Sequence, residues 1–133
     1  VLVCMPAGHP LSRRAAVRVA DLRGEPLIVF PQAHGPELHR LLLEACAAEG
    51  FQPLVAETAL EPERVMALAL AGCGIGFVTQ GVAALAPPGV ALRPLRGPLE
   101  SLPVAIAFDR DARTPALAAL LDTARDVLSR RAA

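Results

Sequence analysis

The 133-residue chain is 53% hydrophobic and 20% charged, the composition of one globular domain with a sizeable core. Thirteen basic and thirteen acidic side chains cancel to a formal net charge of zero, so no overall field draws the chain to nucleic acid or an anionic membrane. Four Phe and no Trp or Tyr leave out the stacking platforms of single-strand binders, and no apolar run reaches the ~18 residues that span a bilayer.

Residues 1–5 read as an apolar strand stopped by Pro6, without the charged flank of a signal peptide. Gly8 and Pro10 then turn the chain, with His9 expected exposed in the turn. Residues 17–22 carry a weak helical pattern closed by Gly24, and Leu-Ile-Val-Phe over 27–30 is a second buried strand. Pro31, Gln32, Ala33 and His34 make the loop at its carboxyl end, and Pro36 opens a helix at the position where a missing N–H costs nothing. Leu38, Leu41, Leu42, Ala45 and Cys46 form one apolar face of that helix, with Glu37, His39, Arg40 and Glu44 largely off it, and Gly50 ends it. A third strand is expected over 54–58.

The chain is organised around residues 61–80, read as helix, glycine hinge and buried strand. Pro62 suits the first helical position, Val65, Leu68 and Ala69 follow at helical spacing, and Gly72 stops the helix. Gly74 and Gly76 let the backbone turn and pack closely before the apolar run Ile75, Phe77 and Val78. Ligands of open α/β sheets are held beyond the carboxyl ends of the strands, so Thr79 and Gln80 stand where a small molecule would be met. The bland reading is that they cap the helix that follows. A helix before the glycines and a strand after them is the reverse of a dinucleotide motif.

A short helix over 81–86, a turn over 87–89 and a strand over 90–95 come next, and Pro94 places that strand at a sheet edge. Residues 102–108 read as a strongly apolar strand. Thr114 is a helix N-cap with Pro115 behind it, and Leu117, Leu120, Leu121, Ala124 and Leu128 give the last helix an apolar face. Arg125, Arg130 and Arg131 gather where they suit the helix dipole, as a solvated terminus rather than a nucleic-acid patch. Strands alternating with helices predict an α/β fold whose mostly parallel sheet is flanked by helices.

No catalytic constellation is evident, since neither Ser12, Ser101 nor Ser129 has an activating local setting. Cys4, Cys46 and Cys73 are odd in number and far apart, which fits buried thiols better than disulfides or zinc. No metal or cofactor is expected. A binding function has more support: the loops after three strands would bring Pro31 and Gln32, Glu61, and Thr79 and Gln80 to one rim, each loop opening a helix whose free N–H groups favour a carboxylate. Glu61 already occupies its own helix end, so an amine or hydroxyl would lie near Glu61 and a carboxylate nearer Gln32 and Thr79.

His9-Pro10-Leu11, then Asp21-Leu22 before Glu25-Pro26-Leu27-Ile28, then Ala71-Gly72-Cys73-Gly74-Ile75-Gly76-Phe77-Val78 resemble, in order and spacing, the effector-binding domain of LysR-type transcriptional regulators. With the terminal strand-helix section they cover nearly the whole chain. The resemblance implies a fold similar to type II periplasmic binding proteins, with two α/β subdomains and an effector cleft between them. Residues 1–15 would then be a crossover strand and turn, 16–95 the second regulatory subdomain, and 96–133 the return strand and helix of the first. The winged helix-turn-helix and most of the first subdomain would precede Val1.

The family's effector contacts carry over to Pro31, Gln32 and Thr79, with Gln80 adjacent; where many relatives have proline, Thr79 adds a hydroxyl. The resemblance further implies a cytoplasmic homo-oligomer paired through the helix from Glu37 to Glu49, a polar or carboxylate-bearing small-molecule effector, and DNA contact only through a domain outside this chain. The alternatives are an extracytoplasmic solute-binding protein of the same general fold, which an upstream signal peptide would favour, and an enzyme on it, which would need a catalytic group from elsewhere. Apolar faces over 102–108 and on the last helix, left without their subdomain, predict self-association or instability of the chain alone.

Overall fold

The computed structural model describes residues 1–100, 105–109, 111 and 114–132. In chain order it has β1 (Leu2–Pro6), a 3-10 turn, β2 (Val17–Arg18), a second 3-10 turn, β3 (Pro26–Val29), α1 (Pro36–Ala48), β4 (Leu54–Thr58), α2 (Pro62–Leu70), β5 (Ile75–Val78), a third 3-10 turn (Gln80–Leu85), β6 (Val90–Arg96) and α3 (Pro115–Ala132). The chain divides into two compact units, Val1–Leu102 and Pro103–Ala133.

In the first unit six strands form one sheet in the order β2-β6-β1-β5-β3-β4. β3 pairs in parallel with β4 and β5, and β2 with β6, whereas β1 is antiparallel to both β5 and β6. Five strands therefore run one way and β1 alone runs against them. Alternate residues of each central strand enter two cores. Val3, Met5, Leu27, Val29, Ile75 and Phe77 meet Leu42, Ala45 and Cys46 of α1 on one face. Leu2, Cys4, Ile28 and Val78 meet Val65, Met66 and Ala69 of α2 on the other. Burial on both faces is why β1, β3 and β5 read as unbroken apolar runs.

The helix ends are closed as their glycines predict. Gly72, at φ +80°, donates its N–H to the Ala69 carbonyl while Cys73 donates to Leu68, a Schellman closure of α2. Gly50 and Phe51 close α1 the same way on Ala47 and Cys46. At Gly76 the reason is space: a Cβ there would lie 2.3 Å from Val65 Cγ1 and 2.8 Å from Cys4 Sγ. The absent side chain is what lets α2 lie directly on β5.

In the first unit three expectations change. β6 is interior, between β1 and β2. The Leu95 N–H donates to the Val1 carbonyl, so the Pro94 nitrogen faces the β2 side. Pairing with β2 begins only at Leu95, and the missing donor costs no ladder bond. The segment over 17–22 is a short strand followed by a 3-10 turn, held by Asp21, whose carboxylate accepts from the Arg18 backbone N–H at 2.9 Å. His9 is partly buried: its Nδ1 accepts from the Leu11 N–H at 3.2 Å and its Nε2 lies 3.4 Å from Glu25.

In the second unit Thr114 caps α3, its hydroxyl accepting from the Leu117 N–H at 3.2 Å. Of the strand expected over 102–108, residues 102–104 lie outside the described residues. Residues 105–109 are exposed and form no strand, because no described residue offers them a ladder partner. Leu120 and Leu128 of α3 are also exposed.

Candidate functional site

Right-handed crossovers place helices according to the direction the chain moves across the sheet. From β3 the chain passes through α1 to β4 on one side, and from β4 it returns through α2 to β5 on the other, so α1 and α2 cover opposite faces. β3 and β5 are neighbours whose carboxyl-end loops depart in different directions, toward α1 and toward β6. That is a topological switch point, the place where open α/β sheets form a crevice.

Register fixes what meets there. Ile28 pairs with Gly76, and just beyond that pair Phe30, Val78 and Thr79 border one cavity. Antiparallel β1, with Leu2 opposite Val78, brings Val1 to Thr79 from the other side. A cavity of about 60 Å³ opens at this point. Phe30, Phe77 and Val78 of the strands and Leu38 and Leu42 of α1 give it an apolar wall, Val1 and Leu99 close it, and its surface is almost wholly apolar although His39 and Thr79 also border it.

Each polar group there is placed by local chemistry. The Pro31 carbonyl accepts from the His34 and Gly35 N–H groups at 3.0 and 3.1 Å, which folds the loop after β3 into a turn and delivers Pro36 to the first helical position. His39 Nδ1 lies 3.2 Å from the Phe30 carbonyl, tying the start of α1 to the end of β3. Thr79 precedes the third 3-10 turn. Its carbonyl accepts from Val82 at 3.2 Å, while its side chain, on an exposed residue, makes no capping bond.

Of the residues picked from sequence, Thr79 lines the cavity and half-buried Pro31 directly follows its wall residue Phe30. Gln32 and Gln80 are exposed on the same rim outside it. Glu61 also lies at this edge, since β4 is parallel to β3, but beyond β3 from Thr79. Two strand spacings of ~4.8 Å separate their strands, so one small ligand in the cavity does not reach both. Sequence reading missed Phe30, Leu38, His39, Leu42 and Phe77 as site residues. The available signal was the last residue of each central strand together with the first turns of the helix it feeds.

The electrostatics around the rim are mild. Arg40 is clamped by Glu37 and Glu44 on the exposed side of α1, and its guanidinium beside Glu37 holds that carboxyl below its ordinary range. Burial pushes the Cys46 thiol up from its ordinary value, and it pushes Cys4 up to about 11. Neither is a nucleophile at neutral pH. A second cavity, of about 120 Å³, sits at the opposite edge of the sheet among Pro6, His9, Glu25, Pro26 and Gly74. It lies at the amino ends of β3 and β5, away from the switch point.

This geometry has known counterparts. Residues 1–129 match the family described as the LysR substrate binding domain. The chain belongs to that family. This LysR domain is 35% identical over 129 residues to the HTH-type transcriptional regulator TtuA of Agrobacterium vitis, covering 92% of the chain and 42% of the relative. To XapR of Escherichia coli K12 it is 32% identical over 120 residues, covering 90% and 40%. The chain thus spans about two fifths of the length of these curated relatives.

Among solved structures, full-length BenM carrying E226K superposes with a TM-score of 0.81 at 22% identity, covering 98% of this chain and 44% of that one. The BenM effector binding domain with its effector benzoate gives 0.64 at 23%, covering 74% and 46%. These fix the fold of the LysR domain as the α/β, type II periplasmic-binding-protein-like architecture expected from sequence. The relatives named here are regulators, which leaves the solute-binding alternative without support. No helix among the described residues is long and apolar enough to cross a membrane.

Proposed function

We propose that this LysR domain is the effector-sensing part of a bacterial transcriptional regulator and holds a small metabolite at the rim formed by Pro31, Gln32, Thr79 and Gln80. Glu61 reads a second, more distant group of a larger effector. The observation that carries the reading is the cavity at the switch point between β3 and β5, with exposed Thr79 among the residues that border it. The relatives' regulatory names support the same reading.

In this scheme residues 1–15 are the crossover strand and turn, 16–95 the second regulatory subdomain and 96–133 the return segment of the first. The rest of the effector cleft, and the DNA-binding domain, belong to chain outside this one. Protomers associate in the cytoplasm through the α1 region, from Glu37 to Glu49, where Leu43 is exposed. Effector binding shifts the population of DNA-bound arrangements by its differential affinity for them. No turnover is expected.

The test is a metabolite panel of small carboxylates, hydroxy acids and amines against the intact regulator, read by thermal shift and calorimetry. A hit whose affinity falls about tenfold, or ~1.4 kcal/mol, in Thr79→Ala and Gln32→Ala supports the site. Undiminished affinity in both variants, or a hit that is chemically converted, overturns it.

A further inference from the structure

We propose that the cavity beneath the first half of α1 is a subsite for a short aliphatic group of the effector, and that filling it displaces α1. This rests on the rim being the effector side. The cavity wall is Phe30, Leu38, Leu42, Phe77 and Val78. A carboxylate or ammonium placed among them would lose its hydration and find no partner. The polar residues that border it are Thr79, which is exposed, and His39, whose Nδ1 is engaged by the Phe30 carbonyl at 3.2 Å. A ligand therefore enters alkyl end first and leaves its polar head at Thr79.

Size chooses between alkyl and aryl. At about 60 Å³ the space is less than half of the ~150 Å³ apolar cavity that accepts benzene. A branched alkyl group slightly exceeds this space, so that α1 must yield to admit it, and an aromatic ring exceeds it by far more.

α1 is built to answer such a wedge at one end only. Its second half is pinned: Ala45 and Cys46 are buried, and the Arg23 guanidinium donates to the Glu49 and Gly50 carbonyls while lying 5.0 Å over the Phe51 ring. The first half is held by Leu41 and Leu42 against the core, by Leu38 over the cavity and by the His39–Phe30 contact. An alkyl group in the cavity pushes this half outward about the pinned end, on the helix assigned above to protomer pairing. The subsite and the assembly surface are thus two sides of one lever.

The experiment is a methyl and amide NMR titration of the intact regulator with isobutanol as the probe, methanol as the polar control and benzene as the oversized one. The expected result is saturable shifts of the Leu38, Leu42 and Val78 methyls and of the His39 ring, with no saturable response to methanol or benzene. Leu38→Phe, at a half-buried position, fills the mouth and weakens isobutanol at least tenfold with the melting temperature retained. Leu42→Ala enlarges the space and admits benzene. Absence of saturable methyl shifts, or shifts that persist unchanged in Leu38→Phe, overturns the subsite. Shifts confined to the Gln32 and Thr79 amides overturn it while the rim reading stands. Failure of the metabolite panel alongside intact methyl shifts overturns the rim and not the apolar cavity.

Discussion

Two glycines of the central unit show how differently one residue type is used. Gly72 has open space around an added Cβ but holds φ +80°, so Gly72→Ala pays only for left-handed backbone, about 1 kcal/mol. Gly76 has ordinary backbone and no room, and Gly76→Ala forces Val65 and the Cys4 sulfur apart, costing ~1–3 kcal/mol. Urea midpoints of the two variants are expected in that order, with Gly76→Ala the lower. Asp21 makes a pH prediction. Burial raises its pKa, but the Arg18 N–H and guanidinium, then the Arg14 guanidinium at 2.8 Å, outweigh it and hold the carboxyl below its ordinary range. A depressed folded pKa contributes stability that is present above the unfolded value of about 3.9 and is lost as pH falls through the folded value. The midpoint of wild type should therefore drop below pH ~4 by more than that of Asp21→Asn.

At the scale of elements, the apolar runs of β1, β3 and β5, the proline starts of α1 and α2 and their glycine ends were all legible, because burial on both faces and cap geometry are local chemistry. The place of β6 was not. Pro94 signals a missing ladder bond, and only the sheet order reveals that β2 is too short to need it. His39 was missed for a related reason. It sits one position off the Leu38–Leu42 stripe, yet helical side chains lean toward the N-terminus, which here is the rim, and its ring reaches the Phe30 carbonyl. The stripe itself predicts an energetic contrast. Leu42, 5% exposed, should cost ~2–5 kcal/mol on truncation to alanine, and the neighbouring Leu43, 37% exposed, within ~0.5 kcal/mol. Equal losses in denaturant unfolding would show that α1 does not pack by this face.

For the whole molecule, the second unit leaves Ile106, Phe108, Leu120, Val127 and Leu128 exposed. Apolar surface of that kind drives association, so sedimentation of the chain is expected to show concentration-dependent self-association that a Leu120→Lys, Leu128→Lys pair reduces. A monomer across the concentration range would contradict this. The chemistry of a ligand at the rim was not legible in the sequence, because the rim carries few polar groups.

The measurement that bears most directly on the sensing account is an amide NMR map of a metabolite hit from the panel, recorded on the intact regulator. Perturbations centred on residues 30–32 and 78–80, at the carboxyl ends of β3 and β5, are the predicted result. Perturbations centred on Pro6, His9, Glu25 and Gly74, at the opposite edge of the sheet, would place the ligand elsewhere and contradict it.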